Sequence, residues 1–311
     1  NMEIPENDKG NNFLNISNNI LKEKNTIVAR FYYKKLVNNK ASIEYLKNRD
    51  ISPDMIKEFG LGYSDNNMDE LIGILKDKFS QKQLIDSGIF VGKNDGIYPR
   101  FRNRIMFPIF DSRNKVIAFG GRQLDSYGPK YLNSPETNIF SKKENLYAFH
   151  IARKNIVKNS VFLVEGYMDV IKMHQYGYKN TVASLGTSLT VEQAKLIKKV
   201  ASRIFIIYDS DDAGIQASLR ALDISVKEGL EARVVTIENS KDPDEYLTKY
   251  GKFSFEELIR KSDDYLMFNI KTIKSKYKTD IESEKTDFLK ESVEYIKAYL
   301  NMPNSSHIYV E

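Results

Sequence analysis

The stretch "IFIIYDSDDAG", residues 204 to 214, runs from an apolar strand straight into three carboxylates. The apolar run ends at Tyr208, and Asp209, Asp211 and Asp212 follow it directly. Like charges this close repel one another, and burial would raise the cost of keeping them ionised. We therefore expect either a bound cation or free access of water at this strand end.

Strands and helices alternate on both sides of this stretch. Short apolar runs recur before and after it, and segments with helical spacing of apolar residues separate them. The predicted strands are residues 160–165, 180–186, 203–209 and 232–238. Alternation of this length is typical of a parallel sheet covered by helices.

The chain divides into four predicted regions. They are a disordered start (1–12), a mixed α/β domain (13–155), the α/β sheet domain (156–250) and a small helical bundle (251–311). Between residues 93 and 154, twelve Lys or Arg stand against five Asp or Glu. This local excess suits a polyanion such as nucleic acid, and a solvated basic face is the alternative.

The composition excludes several kinds of site. The chain has no cysteine, so it can form neither a disulfide nor a thiolate zinc site, and its three histidines disfavour a histidine-rich centre. Any metal would use oxygen ligands, which favours Mg²⁺, Mn²⁺ or Ca²⁺. No apolar run approaches the roughly 18 residues of a membrane span, and the polar start is not a signal peptide. We expect a cytoplasmic protein with no membrane partner.

Six carboxylates follow three of the predicted strands. They are Glu165, Asp169, Asp209, Asp211, Asp242 and Asp244. Because ligands of open parallel sheets sit beyond the carboxyl ends of the strands, these side chains should meet at one crevice. Divalent cations would reverse the repulsion among them. The pattern therefore predicts a metal site.

Simpler roles compete for some of these acidic residues. We predict that Asp212 caps the following helix and does not contact metal. Asp169 could be a favourable first-turn charge, and Asp242 alone would be an ordinary loop aspartate. The joint arrangement at three strand ends nevertheless favours a metal site.

Several motifs resemble a known family. "VEGYMDV", "ASLGTSLT", "YDSDDAG" and "KDPDEYL" occur in the order and spacing of the Toprim domain shared by topoisomerases and primases. "RFRNRIMFPIFD", "VIAFGGRQL" and "PKYLNSPET" resemble the segment that precedes Toprim in bacterial DnaG-type primases. The resemblance covers about residues 25 to 260. It implies a Toprim-type parallel sheet covered by helices, preceded by a mixed α/β basic domain and followed by a small helical bundle.

The resemblance implies a DNA-directed RNA polymerase that makes short primers on single-stranded DNA from ribonucleoside triphosphates. The six carboxylates carry over as ligands of two or more Mg²⁺ or Mn²⁺ ions, with Glu165, Asp209 and Asp211 at the catalytic centre. Two such ions would activate the 3′-hydroxyl and screen the developing charge. Whether Glu165 acts as a base or as a metal ligand stays open.

Basic residues of the family also carry over. Arg122, Lys130 and Lys142 are implied contacts to template or triphosphate, and we count Arg122 and Lys130 with the catalytic residues. The neighbouring Lys143 leaves the register at Lys142 open. Arg102 and Arg104 are weaker candidates for nucleic-acid contact, since either could be a surface charge on a strand.

Two parts of the family pattern do not match. The family begins with a cysteine-ligated zinc domain, and it ends in a helical domain that docks on the replicative helicase. We expect this chain to be an excised polymerase core, whose helicase contact would need a C-terminal domain absent here.

Other functions remain in competition with primer synthesis. The chain could be a Toprim nuclease or topoisomerase, although no separate domain with a tyrosine nucleophile is evident. It could also be a non-catalytic module that binds single-stranded DNA. A combined helicase–primase is disfavoured because the sequence has no G-x-x-x-x-G-K-[ST] phosphate loop.

Overall fold

The computed structural model describes residues 6–93, 96–125 and 128–300. The chain forms two compact units, Asn1–His150 and Ile151–Glu311, which we call the first unit and the second unit. The predicted division into four regions, including a separate helical subdomain after residue 250, stays a prediction.

The first unit combines one long helix and several short helices with antiparallel strands. Its helices are α1 (Glu6–Val37), α2 (Lys40–Asn48), α3 (Pro53–Glu58), α4 (Asp69–Lys76) and α5 (Gln81–Asp86), and α6 (Phe149–Ala152) lies at the junction with the second unit. Its strands are β1 (Gly62–Ser64), β2 (Phe90–Lys93), β3 (Gly96–Pro99), β4 (Arg104–Phe110), β5 (Val116–Gln123) and β6 (Tyr131–Asn133). Helix α1 begins at Glu6, so residues 6–12, predicted to be disordered, are helical. Residues 1–5 lie outside the described residues.

Helix α1 packs on a four-stranded antiparallel sheet of order β1-β4-β5-β6. Strand β4 is buried along nearly its whole length, and Tyr32 of α1 packs edge-on against Phe119 of β5. A Cβ atom on Gly62 of β1 would lie only 2.5 Å from the Cβ atom of Tyr32. Glycine at this position therefore lets α1 approach β1 closely.

Strand β5 passes through the glycine pair Gly120–Gly121 and pairs with β4 as far as Gln123 and with β6 as far as Arg122. A Cβ atom on Gly121 would lie 2.9 Å from Cδ1 of Phe101 and 3.0 Å from Cδ of Arg104. The missing side chain makes room for these two neighbours. Gly121 thus serves packing within the strand.

The second unit contains the predicted parallel sheet. Its strands are β7 (Ser160–Val164), β8 (Thr181–Ala183), β9 (Arg203–Ile207), β10 (Glu231–Val234) and β11 (Asp263–Asp264). Its helices are α7 (Tyr167–Gln175), α8 (Val191–Lys198), α9 (Asp212–Lys227), α10 (Pro243–Arg260), α11 (Tyr265–Lys274) and α12 (Glu282–Leu300). The strand order is β11-β10-β9-β7-β8, with β10, β9, β7 and β8 parallel. The predicted sheet covered by helices is confirmed.

The C-terminal helices belong to the same compact unit as this sheet. Strand β11 pairs antiparallel with β10 and leads into α11, which packs on β10 and α9. Tyr265 of α11 stacks on Tyr299 of α12, with ring centroids 5.1 Å apart. Among the described residues, no helix has both the length and the apolar character that membrane crossing requires.

Candidate active site

Glu165 bridges the ends of two neighbouring strands. It follows β7 directly, and one of its carboxylate oxygens accepts a hydrogen bond from the backbone N–H of Asp209, with 3.1 Å between N and Oε1. Burial raises the pKa of Glu165 and the charge of Asp211 adds to the rise, whereas the Asp209 N–H opposes it. This carboxylate is therefore easier to protonate than an exposed glutamate.

Asp169 lies in the first turn of α7, beside Glu165 in the chain. Its Oδ2 accepts a hydrogen bond from the N–H of Gly166 at 3.0 Å, and the residue is only 8% exposed. Burial raises its pKa well above the usual range, and repulsion from Asp242, Asp209 and Asp244 adds to the rise. Asp169 thus stabilises the helix start and also belongs to the acidic cluster.

Asp211 caps helix α9. Its Oδ1 accepts the N–H of Gly214 at 2.8 Å, and the helix begins at the next residue, Asp212. The prediction that Asp212 is the cap is wrong, because a capping side chain must come from the residue just before the helix. Asp212 is exposed in the first turn. A Cβ atom on Gly214 would lie 2.0 Å from the carbonyl oxygen of Asp209, so only glycine permits this turn.

The pKa of Asp209 is also raised within the cluster. Burial raises its pKa to about 6, and Glu165, Asp242 and Asp211 add to the rise while Lys241 opposes it. The carboxyl group therefore exchanges a proton near neutral pH. A cation bound beside it would compete with that proton.

Asp242 and Asp244 begin helix α10. Asp242 is its N-cap and accepts the N–H of Glu245 at 2.8 Å, while Pro243 occupies the first helical position. Oδ1 of Asp244 lies 3.4 Å from Nζ of Lys172, whose side chain has no exposed surface. The sequence pattern did not point to Lys172, because nothing in the spacing of α7 indicates that this lysine turns inward.

Repulsion connects all six predicted carboxylates into one cluster at the carboxyl edge of the sheet. Glu165 interacts with Asp211, Asp209 with Glu165 and Asp242, and Asp169 with Asp242 and Asp244. Across the described residues, no group of three or more His, Cys, Asp or Glu side chains is arranged to hold a metal ion as it stands. The donor set nevertheless fits a hard divalent cation, because Mg²⁺ takes one or two carboxylates and completes its shell with water and phosphate oxygens.

A cavity of about 330 Å³ lies beside this cluster. Glu165, Asp209 and Asp211 form one side of it, and the loop after β8 contributes Thr187 and Ser188. This loop belongs to the "ASLGTSLT" motif, but none of its residues was predicted as part of the site. Its position after a strand of the same parallel sheet was the signal that could have identified it.

Arg122 is held by aromatic rings in the first unit. Its Nη1 donates a hydrogen bond to the hydroxyl of Tyr131 at 2.7 Å. The guanidinium carbon lies 5.3 Å from the ring centroid of Tyr131 and 5.6 Å from that of Tyr45. These contacts fix the direction of a cation that is only 6% exposed.

Arg104 is a buried structural residue. Its Nη1 donates to the carbonyl oxygens of Gly121 and Pro129 at 3.2 and 2.9 Å, and Nη2 donates to Oε1 of Gln123 at 3.0 Å. At 5% exposed, it is not the surface charge that the strand pattern allowed. These bonds tie the turn before β6 to strand β5.

The remaining basic candidates are more accessible. Lys130, Lys143 and Arg102 are exposed, and Arg102 precedes β4 and is not part of it. Lys142 is half-buried, and its backbone N–H donates to Oε1 of Glu136 at 2.9 Å. Roles of these residues in binding stay predictions.

Comparison with known proteins identifies the family. Residues 31–153 match the family described as DNA primase catalytic core, N-terminal domain, and residues 162–247 match the Toprim-like family. A solved structure described as the DnaG primase catalytic domain bound to ssDNA is 33% identical, covers 87% of each chain and superposes with a TM-score of 0.77. This chain belongs to the DnaG-type primase family. The resemblance stated from the motifs is confirmed.

Other DnaG-type primases show the same relationship. A DNA primase domain from Pseudomonas aeruginosa is 33% identical, with a TM-score of 0.78 over 86% of this chain and 87% of that one. The DNA primase of Clostridium acetobutylicum is 44% identical over 247 residues, which are 79% of this chain and 41% of the relative. The chain thus spans about two-fifths of the length of this curated relative.

Proposed function

We propose that this chain synthesises short RNA primers on single-stranded DNA by joining ribonucleoside triphosphates. The observation that carries this proposal is the cluster of six carboxylates at the carboxyl edge of a Toprim sheet, in a member of the DnaG-type primase family. Nucleotide addition is an in-line displacement at phosphorus, and catalysis depends on positioning and on charge stabilisation.

The carboxylates would hold two or more Mg²⁺ or Mn²⁺ ions. Glu165, Asp209 and Asp211 line the cavity and would bind the ions nearest the substrate, with Asp169, Asp242 and Asp244 behind them. When bound, such ions supply Lewis-acid stabilisation of the phosphoryl group and lower the pKa of the attacking hydroxyl. Glu165, whose pKa is raised by burial, would either accept that proton or act as a metal ligand.

The basic residues of the first unit would bind the nucleic acid and the incoming nucleotide. Arg122 is fixed by two tyrosines, which suits a defined contact to a triphosphate. Lys130 is exposed, which suits contact with a template phosphate. We assign supporting contacts to Lys142, Lys143 and Arg102, and we assign Arg104 no direct contact because its guanidinium is engaged internally.

We also propose, from the family, action in the cytoplasm at the replication fork and cooperation with the replicative helicase. A separate domain of the family supplies that helicase contact. Because the 311 residues of this sequence include no cysteine, they cannot form a thiolate-ligated zinc site.

Primer synthesis on single-stranded DNA separates this function from its competitors. The purified chain is incubated with template, labelled ribonucleoside triphosphates and Mg²⁺ or Mn²⁺, with Asp209→Asn as the matched isosteric control. We expect short RNA products from the wild type and at least ~10²-fold less from the variant. Template cleavage without RNA would favour a Toprim nuclease, and unchanged DNA binding with no product in either protein would favour a non-catalytic binding module.

A further inference from the structure

A second cavity, of about 520 Å³, lies at the opposite end of the Toprim sheet. Its floor is formed by Ser160 and Phe162 of β7 and by Arg203 and Phe205 of β9. These residues pair in register, Ser160 with Arg203 and Phe162 with Phe205, so alternation places all four on one face. The volume lies within the range of small-molecule sites.

The walls of this cavity are formed by helix α10 and by the segment after α7. Gly251 interrupts α10 with φ of 75°, and the part of the helix beyond it contributes Lys252, Glu256 and Arg260. Tyr178 comes from the segment after α7, and Nζ of Lys252 lies 5.5 Å from the centroid of its ring. The wall therefore combines cations with an aromatic ring.

Four cations and one acid line the cavity. The cations are Lys158, Arg203, Lys252 and Arg260, and the acid is Glu256. Arg203 and Arg260 use one Nη each in ion pairs with Glu231 and Glu257, at 2.7 and 2.9 Å. Lys158 and Lys252 are exposed. The cavity is thus suited to an anion, which would lie nearer to the lysines than to Glu256.

The turn that presents Lys158 has a left-handed backbone conformation. Lys158 and Asn159 have φ of 48° and 54°, in the left-handed region that side chains other than glycine rarely adopt. Nδ2 of Asn159 donates to Oγ of Ser202 at 2.7 Å, and Oδ1 accepts the N–H of Ser202 at 3.2 Å. These bonds fasten the start of β7 to the start of β9. The Ser160 N–H donates to the Val157 carbonyl oxygen at 3.1 Å and closes a two-residue turn, in which positive φ at both central residues is the usual geometry.

Aromatic and polar groups complete the cavity. The rings of Phe162 and Phe205 stack with centroids 5.2 Å apart, and Tyr178 meets Phe162 edge-on at 5.5 Å. Within the described ranges, the Tyr178 hydroxyl and the Nε of Arg203 are buried without a hydrogen-bond partner. Buried polar groups usually have partners, so a polar ligand would satisfy a need that the protein leaves unmet.

We propose that this cavity binds a nucleotide, with its phosphate at Lys158, Arg203 and Lys252 and its base against the aromatic cluster of Phe162 and Tyr178. Cations supply charge-assisted hydrogen bonds to phosphate, and aromatic faces accept any base by stacking. The phosphate-binding end of the cavity is distinct from the carboxylate cluster, since Ser160 and Arg203 precede Glu165 and Asp209 by five and six residues, or at least ~16 Å along the strands. A bound nucleotide would clamp the starts of the two strands whose far ends lead to Glu165 and Asp209.

Binding of ATP in EDTA tests this proposal. Without a divalent ion the acidic edge repels ATP, so the basic cavity should dominate binding within the second unit. The cavity variant combines Lys158→Glu with Lys252→Glu and so reverses two exposed charges of the cavity. The control variant combines Lys195→Glu with Lys290→Glu, which reverses two exposed lysines elsewhere in the same unit. We expect the dissociation constant for ATP to rise at least 10-fold in the cavity variant and less than 2-fold in the control.

Three further ligands identify the chemistry and its source. Sodium triphosphate and adenosine should each bind at least 10-fold more weakly than ATP, and a triphosphate that matched ATP would overturn the role of the aromatic rings. The third ligand is an oligothymidylate. If the cavity variant binds both it and ATP more weakly than the wild type does, the site binds a nucleotide within a strand. If only ATP binding is weakened, the site binds a free nucleotide. Equal ATP affinity of wild type and cavity variant, or no ATP binding to the wild type, would overturn the proposal.

Discussion

Asp169 in the second unit and Arg104 in the first unit are both nearly buried, at 8% and 5% exposed, but their surroundings differ. Arg104 donates to three protein oxygens, each within 3.2 Å. Asp169 accepts one backbone N–H and otherwise faces other carboxylates, which raises its pKa. A buried charge with internal partners stabilises the fold, whereas a buried carboxylate among like charges is typical of a functional site that binds cations.

The largest expected effect concerns a carboxylate of the acidic cluster that also caps a helix. Asp211→Asn removes the charge but keeps the cap on Gly214, because asparagine is as good an N-cap as aspartate. Primer synthesis should fall by at least ~10²-fold, the scale of losing one group that stabilises transition-state charge. Rates of labelled primer formation measure this effect. Single-stranded DNA binding serves as the control, and an equal loss of binding would mean that Asp211 acts through the fold.

The buried ion pair between Lys172 and Asp244 provides the second test. Lys172→Met removes the cation 3.4 Å from the Asp244 carboxylate, so the metal-free protein should lose about 3 kcal/mol of unfolding free energy. Added Mn²⁺ should then raise the melting temperature more in the variant than in the wild type, because the site has become more negative. Lys172→Arg keeps the charge and is the control. A metal response equal in all three proteins would remove Lys172 from the acidic cluster.

Arg104 tests the other side of the comparison. Arg104→Met keeps the length of the side chain but leaves the oxygens of Gly121, Pro129 and Gln123 without their donors. We expect a loss of about 2 kcal/mol in denaturant unfolding. The affinity of the folded protein for single-stranded DNA should be unchanged at a temperature well below its melting point. A variant of normal stability that binds DNA weakly would make Arg104 a contact residue.

The pH dependence of stability follows from Asp209. Its pKa of about 6 in the folded protein exceeds the value of about 3.9 in the unfolded chain, so the folded state binds more protons between these values. Without metal, the stability from this group is complete below about pH 4 and is lost as pH rises through 6, by about 1 kcal/mol after allowance for solvent screening. Melting curves from pH 4 to 7 should show a smaller decline in Asp209→Asn. In Mn²⁺ the wild type should instead gain stability with pH, and a decline equal to that of the metal-free protein would place the ion elsewhere.

The smallest expected effect concerns exposed Lys130. If Lys130 contacts a template phosphate, Lys130→Ala should flatten the log–log salt slope of single-strand affinity by about 0.7, for every sequence alike. Arg122→Ala should leave that slope unchanged and raise the nucleotide KM, because its fixed guanidinium suits the triphosphate. Salt titrations and nucleotide titrations of both variants measure these effects. No change in either quantity would make the basic face a solvated surface.

Local pattern explains why much of the second unit could be predicted. The predicted strands 160–165 and 203–209 extend only one and two residues beyond β7 and β9, because short apolar runs mark both strands. Helix α8 starts with a capping box of Thr190 and Gln193, which depends only on residue types three positions apart. In contrast, the cap at Asp211 depends on a helix boundary, which pattern locates only to within a few residues. The pairing of β11 with β10 joins segments that are distant in sequence, so no local sequence pattern predicts it.

The sequence by itself determined the alternation of strands and helices, the placement of six carboxylates at strand ends, the oxygen-only donor set and the family resemblance. These features depend on residue type and on spacing along the chain. Only the tertiary structure decided that the Arg104 side chain is buried and bonded internally, whereas Lys130 is exposed. It also decided that Lys172 is buried beside Asp244 and that a basic cavity lies at the starts of β7 and β9. Burial and pairing depend on which segments pack against one another, and elements distant in sequence supply those neighbours.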